Sequence, residues 1–163
     1  MFKSNTYGKL ELKDIPDKLL DYYNKMKHYD SQFYITVGTD SQNFDDTKVV
    51  SVIAVVCEGH GGIYFYQITR QPRLNDVRQK LHFETNESLN IASDLIKILE
   101  SEKYADVYLN STFSIHVDAG NSSKGKTKEL IPELVGWIHA CGYDCSVKPD
   151  SYVASSIADK LSK

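Results

Sequence analysis

No apolar run in this 163-residue chain approaches the ~20 residues that a membrane-spanning helix needs. The first residues, MFKSNTYGKLELKD, also lack the apolar core of a signal peptide. Both absences lead us to expect an intracellular, cytoplasmic protein. Cysteine is scarce and odd in number: Cys57, Cys141 and Cys145 do not form a disulfide framework. Cys141 and Cys145 are half a zinc site with only Cys57 and scattered histidines to complete it, so buried or idle thiols are expected. A positive surplus is missing too. The formal net charge of −3 lacks the basic footprint that nucleic-acid binding usually leaves. Only two segments are locally positive, residues 70–80 (Arg70, Arg73, Arg78 and Lys80 against Asp76) and residues 121–128 (Lys124, Lys126 and Lys128). Linkers and repeats are absent as well, so one domain is expected, with residues 1–31 as a helical extension and 32–163 as the core.

What is present suits a folded core. Hydrophobic residues make up 41% and charged residues 25%, ordinary globular values. Asp14, Ile15 and Pro16 open a helical pattern with Leu19, Leu20, Tyr23 and Met26 on one face. Phe33, Ile35 and Val37 then alternate with Tyr34, Thr36 and Gly38, which is strand periodicity. The almost continuously apolar run Val49–Val56 predicts a central strand covered on both faces. Beyond the turn Gly59-His60-Gly61-Gly62, Ile63–Thr69 completes an antiparallel meander. Residues 82–102 read as a helix with Ala92, Leu95, Ile96 and Leu99 inside, and Phe113, Ile115 and Val117 as a fourth strand. Lys126 to Ala140 form another helix closed by Gly142, and Tyr143–Val147 a fifth strand. Ser151–Leu161 is a last helix. The expected architecture is α/β, a mixed five-stranded sheet. Its first three strands form the meander, and its fourth and fifth run parallel to the first through helical crossovers.

This order has a chemical consequence. Asp40 follows the first strand in Val37-Gly38-Thr39-Asp40-Ser41-Gln42, and Asp118 ends the fourth in Ile115-His116-Val117-Asp118. Parallel neighbours bring both carboxylates to one sheet edge, where open α/β sheets bind ligands. Two adjacent negative charges repel unless a cation sits between them, and hard oxygen ligands suit Mg²⁺ or Mn²⁺. An Asp at a strand end also commonly caps a turn, so it is the pair that points to a metal. A third acid comes from the helix after the meander. From Glu84, helical steps lead through Ser88, Ala92, Leu95 and Leu99, the inner stripe, so Glu84 is favoured and Glu87 held in reserve. A fourth is Asp150, also a natural helix N-cap, or Asp159 about two turns into the last helix.

With acids after strand one, on the first core helix, after strand four and on the last helix, the chain resembles the ribonuclease H fold. Gly38-Thr39-Asp40-Ser41 is similar to that family's first-strand motif, and Ala158-Asp159-Lys160-Leu161, with Ser155 four residues earlier, to its closing helix. More narrowly, Thr39-Asp40-Ser41-Gln42, Glu84-Thr85, the Asp118-to-Thr127 stretch and Lys148-Pro149-Asp150-Ser151 through Ala158-Asp159 resemble the YkuK family of predicted ribonuclease H-like proteins. The resemblance covers about residues 32–163. It implies a metal-dependent nuclease acting on RNA, an RNA–DNA hybrid or DNA, with two ions of Mg²⁺ or Mn²⁺ roughly 4 Å apart. Asp40 would bridge both ions, Glu84 and Asp118 would hold one, and Asp159 or Asp150 the other. Ser41, Gln42, Arg73, Arg78, Lys124, Lys126 and Thr127 would contact phosphates. His82 and His116 are candidates to move a proton, although structural histidines are the expectation for both. The linker before the last helix is shorter than in typical ribonucleases H and holds no histidine.

Residues 120–127, Gly-Asn-Ser-Ser-Lys-Gly-Lys-Thr, also satisfy the phosphate-loop pattern G-x-x-x-x-G-K-[ST] between a strand and a helix. ATP or GTP binding is therefore the alternative, with Lys126 on phosphates and Thr127 on Mg²⁺. An antiparallel meander is the wrong beginning for that fold, and only 36 residues follow Thr127, too few for the further strands it needs. A third reading keeps the ribonuclease H-like fold as a catalytically inactive nucleic-acid or protein-binding module.

Overall fold

The computed structural model describes residues 1–120, 126–148 and 161. The meander is present and longer than its periodicity suggested: β3 (Phe33–Asn43), β4 (Thr47–Cys57) and β5 (Gly62–Gln71) pair antiparallel in turn. The sheet is wider than the five strands expected. A short hairpin, β1 (Phe2–Ser4) and β2 (Gly8–Leu10), adds to the outer edge of β5. On the other side of β3 lie β6 (Ser111–Gly120) and β7 (Asp144–Lys148), both parallel, as the crossover rule requires. The order is β2-β1-β5-β4-β3-β6-β7. The N-terminal segment is thus a hairpin plus helix α1 (Ile15–Met26), where Asp14 is the N-cap and Pro16 sits in the first turn.

Helices α1, α2 (Val77–Leu99), α3 (Ala105–Asn110) and α4 (Lys126–Ala140) contribute to one apolar core on a single face of the sheet. That face takes the odd-numbered residues of β3 and β4, Phe33, Ile35, Val37, Ile53 and Val55, because side chains alternate along a strand. The opposite face carries Val50, Val52 and Ala54, with Tyr64, Tyr66 and Leu161 packed on them. Burial on both faces explains why Val49–Val56 reads as unbroken apolar sequence. The three cysteines are free, Cys57 buried and Cys141 exposed. Among the described residues, no helix is long and apolar enough to cross a membrane. The expected helix over 151–161 lies outside the described residues except for Leu161.

Candidate metal and phosphodiester site

The sheet itself creates a notch. The parallel ladder between β3 and β6 ends at Gly38 opposite His116, yet both strands continue. Asp40 and Asp118 each stand two residues past that last pair, so they sit at the same level where the two strands part. Asp40 lies within β3, still paired with Val50 of β4, rather than just beyond the strand as its sequence suggested. The strand runs on to Asn43 because the antiparallel ladder with β4 supplies hydrogen bonds that the polar stretch Ser41-Gln42-Asn43 would not attract by apolar patterning. On its other side, β6 shifts register against β7 between Val117 and Gly120. Asp118 therefore sits in a bulge-like irregularity, a feature that re-aims side chains beside active sites.

The third acid arrives from α2. Asp76 caps that helix by accepting a hydrogen bond from the Gln79 amide at 2.8 Å, which fixes where its first turns begin. Its inner stripe is polar for two turns and apolar afterwards: Glu84 and Ser88, then Ala92, Leu95 and Leu99, all buried. Ser41, fully buried on β3, donates to Glu84 Oε1 at 2.6 Å. One turn deeper, Thr39 Oγ1 lies 2.8 Å from Ser88 Oγ and 3.2 Å from Ser51 Oγ on β4. This hydroxyl network joins the helix to two strands beneath the acids. Lys80, one turn before Glu84, brings its Nζ to 4.0 Å from Glu84 Oε1.

These surroundings set the charge of Glu84. Burial is the largest influence and pushes its carboxyl up to about 8. The Ser41 hydrogen bond and the Lys80 ammonium pull it down, while negative charge on Asp40 and Asp118 pushes it up. Glu84 thus senses both other acids. Glu87 does not: it is half-buried, raised by burial alone. His116, beside Asp118 in sequence and 6% exposed, is pushed down to about 4 by burial. Burial favours its neutral imidazole, and its Nδ1 makes no hydrogen bond among the described residues.

Several expected residues have other partners. Ser41, anticipated at a phosphate, spends its hydroxyl on Glu84. Gln42 is half-buried next to it. Arg73 donates to the Phe44 carbonyl at 3.1 Å, and Arg78 forms a fork on Glu133 at 3.2 and 3.3 Å. His82 Nε2 lies 3.2 Å from Glu133 Oε1 without hydrogen-bond geometry, beside the Trp137 ring. Thr127 is half-buried in the first turn of α4, and Lys126 opens that helix. Lys124, Asp150 and Asp159 lie outside the described residues. Lys80 was missed as a neighbour of the site, although its four-residue spacing from Glu84 signals it.

The residues' donor chemistry suits a hard divalent cation: carboxylate oxygens, two of them on strands that part at this edge. The expected cluster is nevertheless open. Among the described residues, no three His, Cys, Asp or Glu come together closely enough to hold an ion. The strand pleat gives the reason. Asp40 pairs with Val50 and so shares its face, whereas Ser41 directs Glu84 from the helix-covered face. Leu161, two residues after Asp159 in sequence, packs on Asp40's face, where its carbonyl accepts from Lys48 Nζ at 2.6 Å.

Comparison with known proteins agrees with this architecture. The uncharacterized protein YkuK of Bacillus subtilis (strain 168) is 29% identical over 177 aligned residues, covering 100% of this chain and 97% of that protein. The solved Mos1 transposase catalytic domain, with raltegravir and Mg, aligns over 95% of this chain and 76% of its own. The two share 13% identity, with a TM-score of 0.30. A family model described as ribonuclease H-like matches residues 16–163, nearly the whole chain. With its YkuK-like relative and its parallel β3–β6–β7 edge, the chain belongs to the ribonuclease H-like family.

Proposed function

We propose that the protein is a divalent-metal-dependent nuclease whose site is the notch between β3 and β6. The observation that carries this reading is that Asp40 and Asp118 stand level at the parting of parallel strands, with Glu84 buried between opposing influences and coupled to both. Asp40, Glu84 and Asp118 would hold Mg²⁺ or Mn²⁺, with Asp159 as the fourth acid. Leu161 on Asp40's face favours Asp159 over Asp150. Cations held there would supply activation of a water and stabilisation of a leaving oxygen in phosphodiester hydrolysis. The chain's own contribution is positioning. Ser41 occupies one oxygen of Glu84 and leaves the other for a ligand, and the Thr39–Ser88–Ser51 network holds the helix at a set depth. Basic side chains near the notch would position the nucleic acid through its phosphates.

Cleavage of labelled RNA, single-stranded DNA, duplex DNA and RNA–DNA hybrid, with Mn²⁺ or Mg²⁺, tests the proposal directly. Metal-dependent cutting by the wild type should fall by at least roughly a hundredfold in Asp40→Asn, the scale of losing one essential transition-state contact. Absence of metal-dependent cutting on every substrate would leave the inactive binding module. That second reading draws on the open arrangement of acids among the described residues. A phosphate-loop nucleotide site has less support, because the meander precedes residues 120–127 and the family match runs through them.

A further inference from the structure

Phe44 is a large apolar side chain left 48% exposed at the tip of the β3–β4 hairpin, four residues beyond Asp40. Solvent contact on a lone aromatic is common and by itself means little. This one is held unusually firmly. Within the turn, the Phe44 amide donates to the Asp46 carbonyl at 2.7 Å. Across it, Thr47 Oγ1 donates to Asn43 Oδ1 at 2.6 Å. The segment leading into α2 then clamps the tip from outside. Asn43 Nδ2 donates to the Leu74 carbonyl at 2.8 Å, and the Leu74 amide to Thr47 Oγ1 at 3.0 Å. Arg73 holds the Phe44 carbonyl itself, and Arg70 bonds Asp46 Oδ1 at 2.7 Å. The backbone beneath the ring is tied down while the ring stays in water.

Charge and position give that ring a use. Arg70 pairs with Asp46, and Arg73 stands at the Phe44 carbonyl beside the exposed Asp45, so two cations border the loop Phe44-Asp45-Asp46 and balance its two acids. The hairpin extends from the same end of the sheet as the notch. Four extended residues advance about 13 Å, and a stacked nucleic-acid strand covers that distance in about four nucleotides. Aromatic rings flanked by cations are the usual platform for unpaired bases, since every base has a face to stack and a phosphate to neutralise.

We infer that Phe44 is a base-stacking contact, which takes an unpaired nucleobase a few nucleotides from the phosphodiester held at the Asp40–Asp118 notch. The substrate is therefore single-stranded, or splayed open, on the β3–β4 side. This rests on the nuclease reading for its choice of ligand, but its test needs no cleavage. A braced ring presented to solvent costs little ordering entropy on binding, so the stacking contribution reaches the affinity undiminished.

The experiment is equilibrium binding of fluorescent oligonucleotides in EDTA, using Asp40→Asn protein with and without Phe44→Ala or Phe44→Trp. Single-stranded DNA or RNA should bind about 5- to 150-fold more weakly to Phe44→Ala, the range expected for one lost stack. Phe44→Trp should stay within about threefold of the parent, because a larger ring stacks as well. A blunt duplex, and a strand of abasic nucleotides, should show no dependence on residue 44. Equal single-strand affinity of Phe44→Ala and parent would overturn the inference while leaving the nuclease reading intact. So would an equal loss on the abasic strand, or a change in self-association with oligonucleotide binding preserved, which would assign the ring to a protein contact. If the parent binds no nucleic acid of any kind, this inference falls, and the metal-dependent cleavage assay on the wild type decides the nuclease reading separately.

Discussion

The two faces of β3 are made from the same eleven residues and behave in opposite ways. On the helix-covered face, Phe33, Ile35 and Val37 are buried apolar side chains, and Thr39 and Ser41 follow with every hydroxyl engaged. On the other face stand Tyr34, Thr36, Gly38, Asp40 and Gln42, polar or small almost throughout. Next to it on β6, His116 pairs in register with Gly38. Thr36 Oγ1 and His116 Nδ1 are buried there without hydrogen bonds among the described residues. Unsatisfied buried polar atoms are uncommon and costly, by about 1–3 kcal/mol each. The helix-covered face is built mainly for stability, with Glu84 reaching the site from it, and the other face tolerates a local cost on the side that carries Asp40.

That contrast makes unequal predictions. The largest effect on stability belongs to the covered face. Leu95 on α2 is fully buried in the main core. Leu95→Ala should lower unfolding free energy by about 2–5 kcal/mol in chemical denaturation. Asp40→Asn, by contrast, should change stability little while removing cleavage. If Asp40→Asn unfolds the protein as readily as Leu95→Ala, the division of labour between the faces is wrong.

His116 supplies the next effect, through pH. Burial depresses its folded-state value to about 4 from an ordinary 6.5. The folded protein then binds fewer protons than the unfolded chain between those values, so this group's stability is complete above pH 6.5 and lost as pH falls toward 4. The loss is at most about 3 kcal/mol. Glu84 acts in the opposite sense, since its folded value is raised to about 8 from 4.5. Its contribution is present below pH 4.5 and fades as pH rises toward 8. The measurement that separates them is the stability difference between wild type and His116→Leu, followed from pH 7 to pH 4. A difference that stays constant across that interval would mean that the imidazole titrates normally and is not held neutral.

How far the sequence revealed this molecule depended on whether the information was local. The helix over Lys126–Ala140 is periodic and ends at Gly142, whose φ of 90° suits glycine, and its bounds are those expected. The parallel relation of β3, β6 and β7 followed from helical crossovers, and with it the shared edge of Asp40 and Asp118. Glu84 was visible because it heads an apolar stripe. The hairpin Phe2–Leu10 was not visible. Its strands have three residues each and are completed by pairing across the chain with β5. The six-residue α3 is similarly short. Within the site, partner choice was hidden. Nothing in Ser41 or Arg78 announces that one reaches Glu84 and the other Glu133, because those meetings depend on how α2 lies against β3 and α4.

The smallest effects make the sharpest test of the two faces, because the same substitution should carry opposite signs. Thr39 and Thr36 are both buried threonines on β3, three residues apart and on opposite faces. Thr39 Oγ1 is within hydrogen-bond distance of Ser88 and Ser51, whereas Thr36 Oγ1 has no hydrogen-bond partner among the described residues. Valine matches threonine in shape and removes only the hydroxyl's polarity. Thr39→Val leaves two buried hydroxyls short of a partner and should cost about 1–2 kcal/mol. Thr36→Val removes a buried polar atom with no bond to any described residue and should be neutral or stabilising by up to about 1 kcal/mol. Denaturant midpoints with unchanged slopes give both numbers in one experiment. If Thr36→Val destabilises as much as Thr39→Val, the polar face is satisfied after all, and its hydroxyls belong to the scaffold rather than to the site.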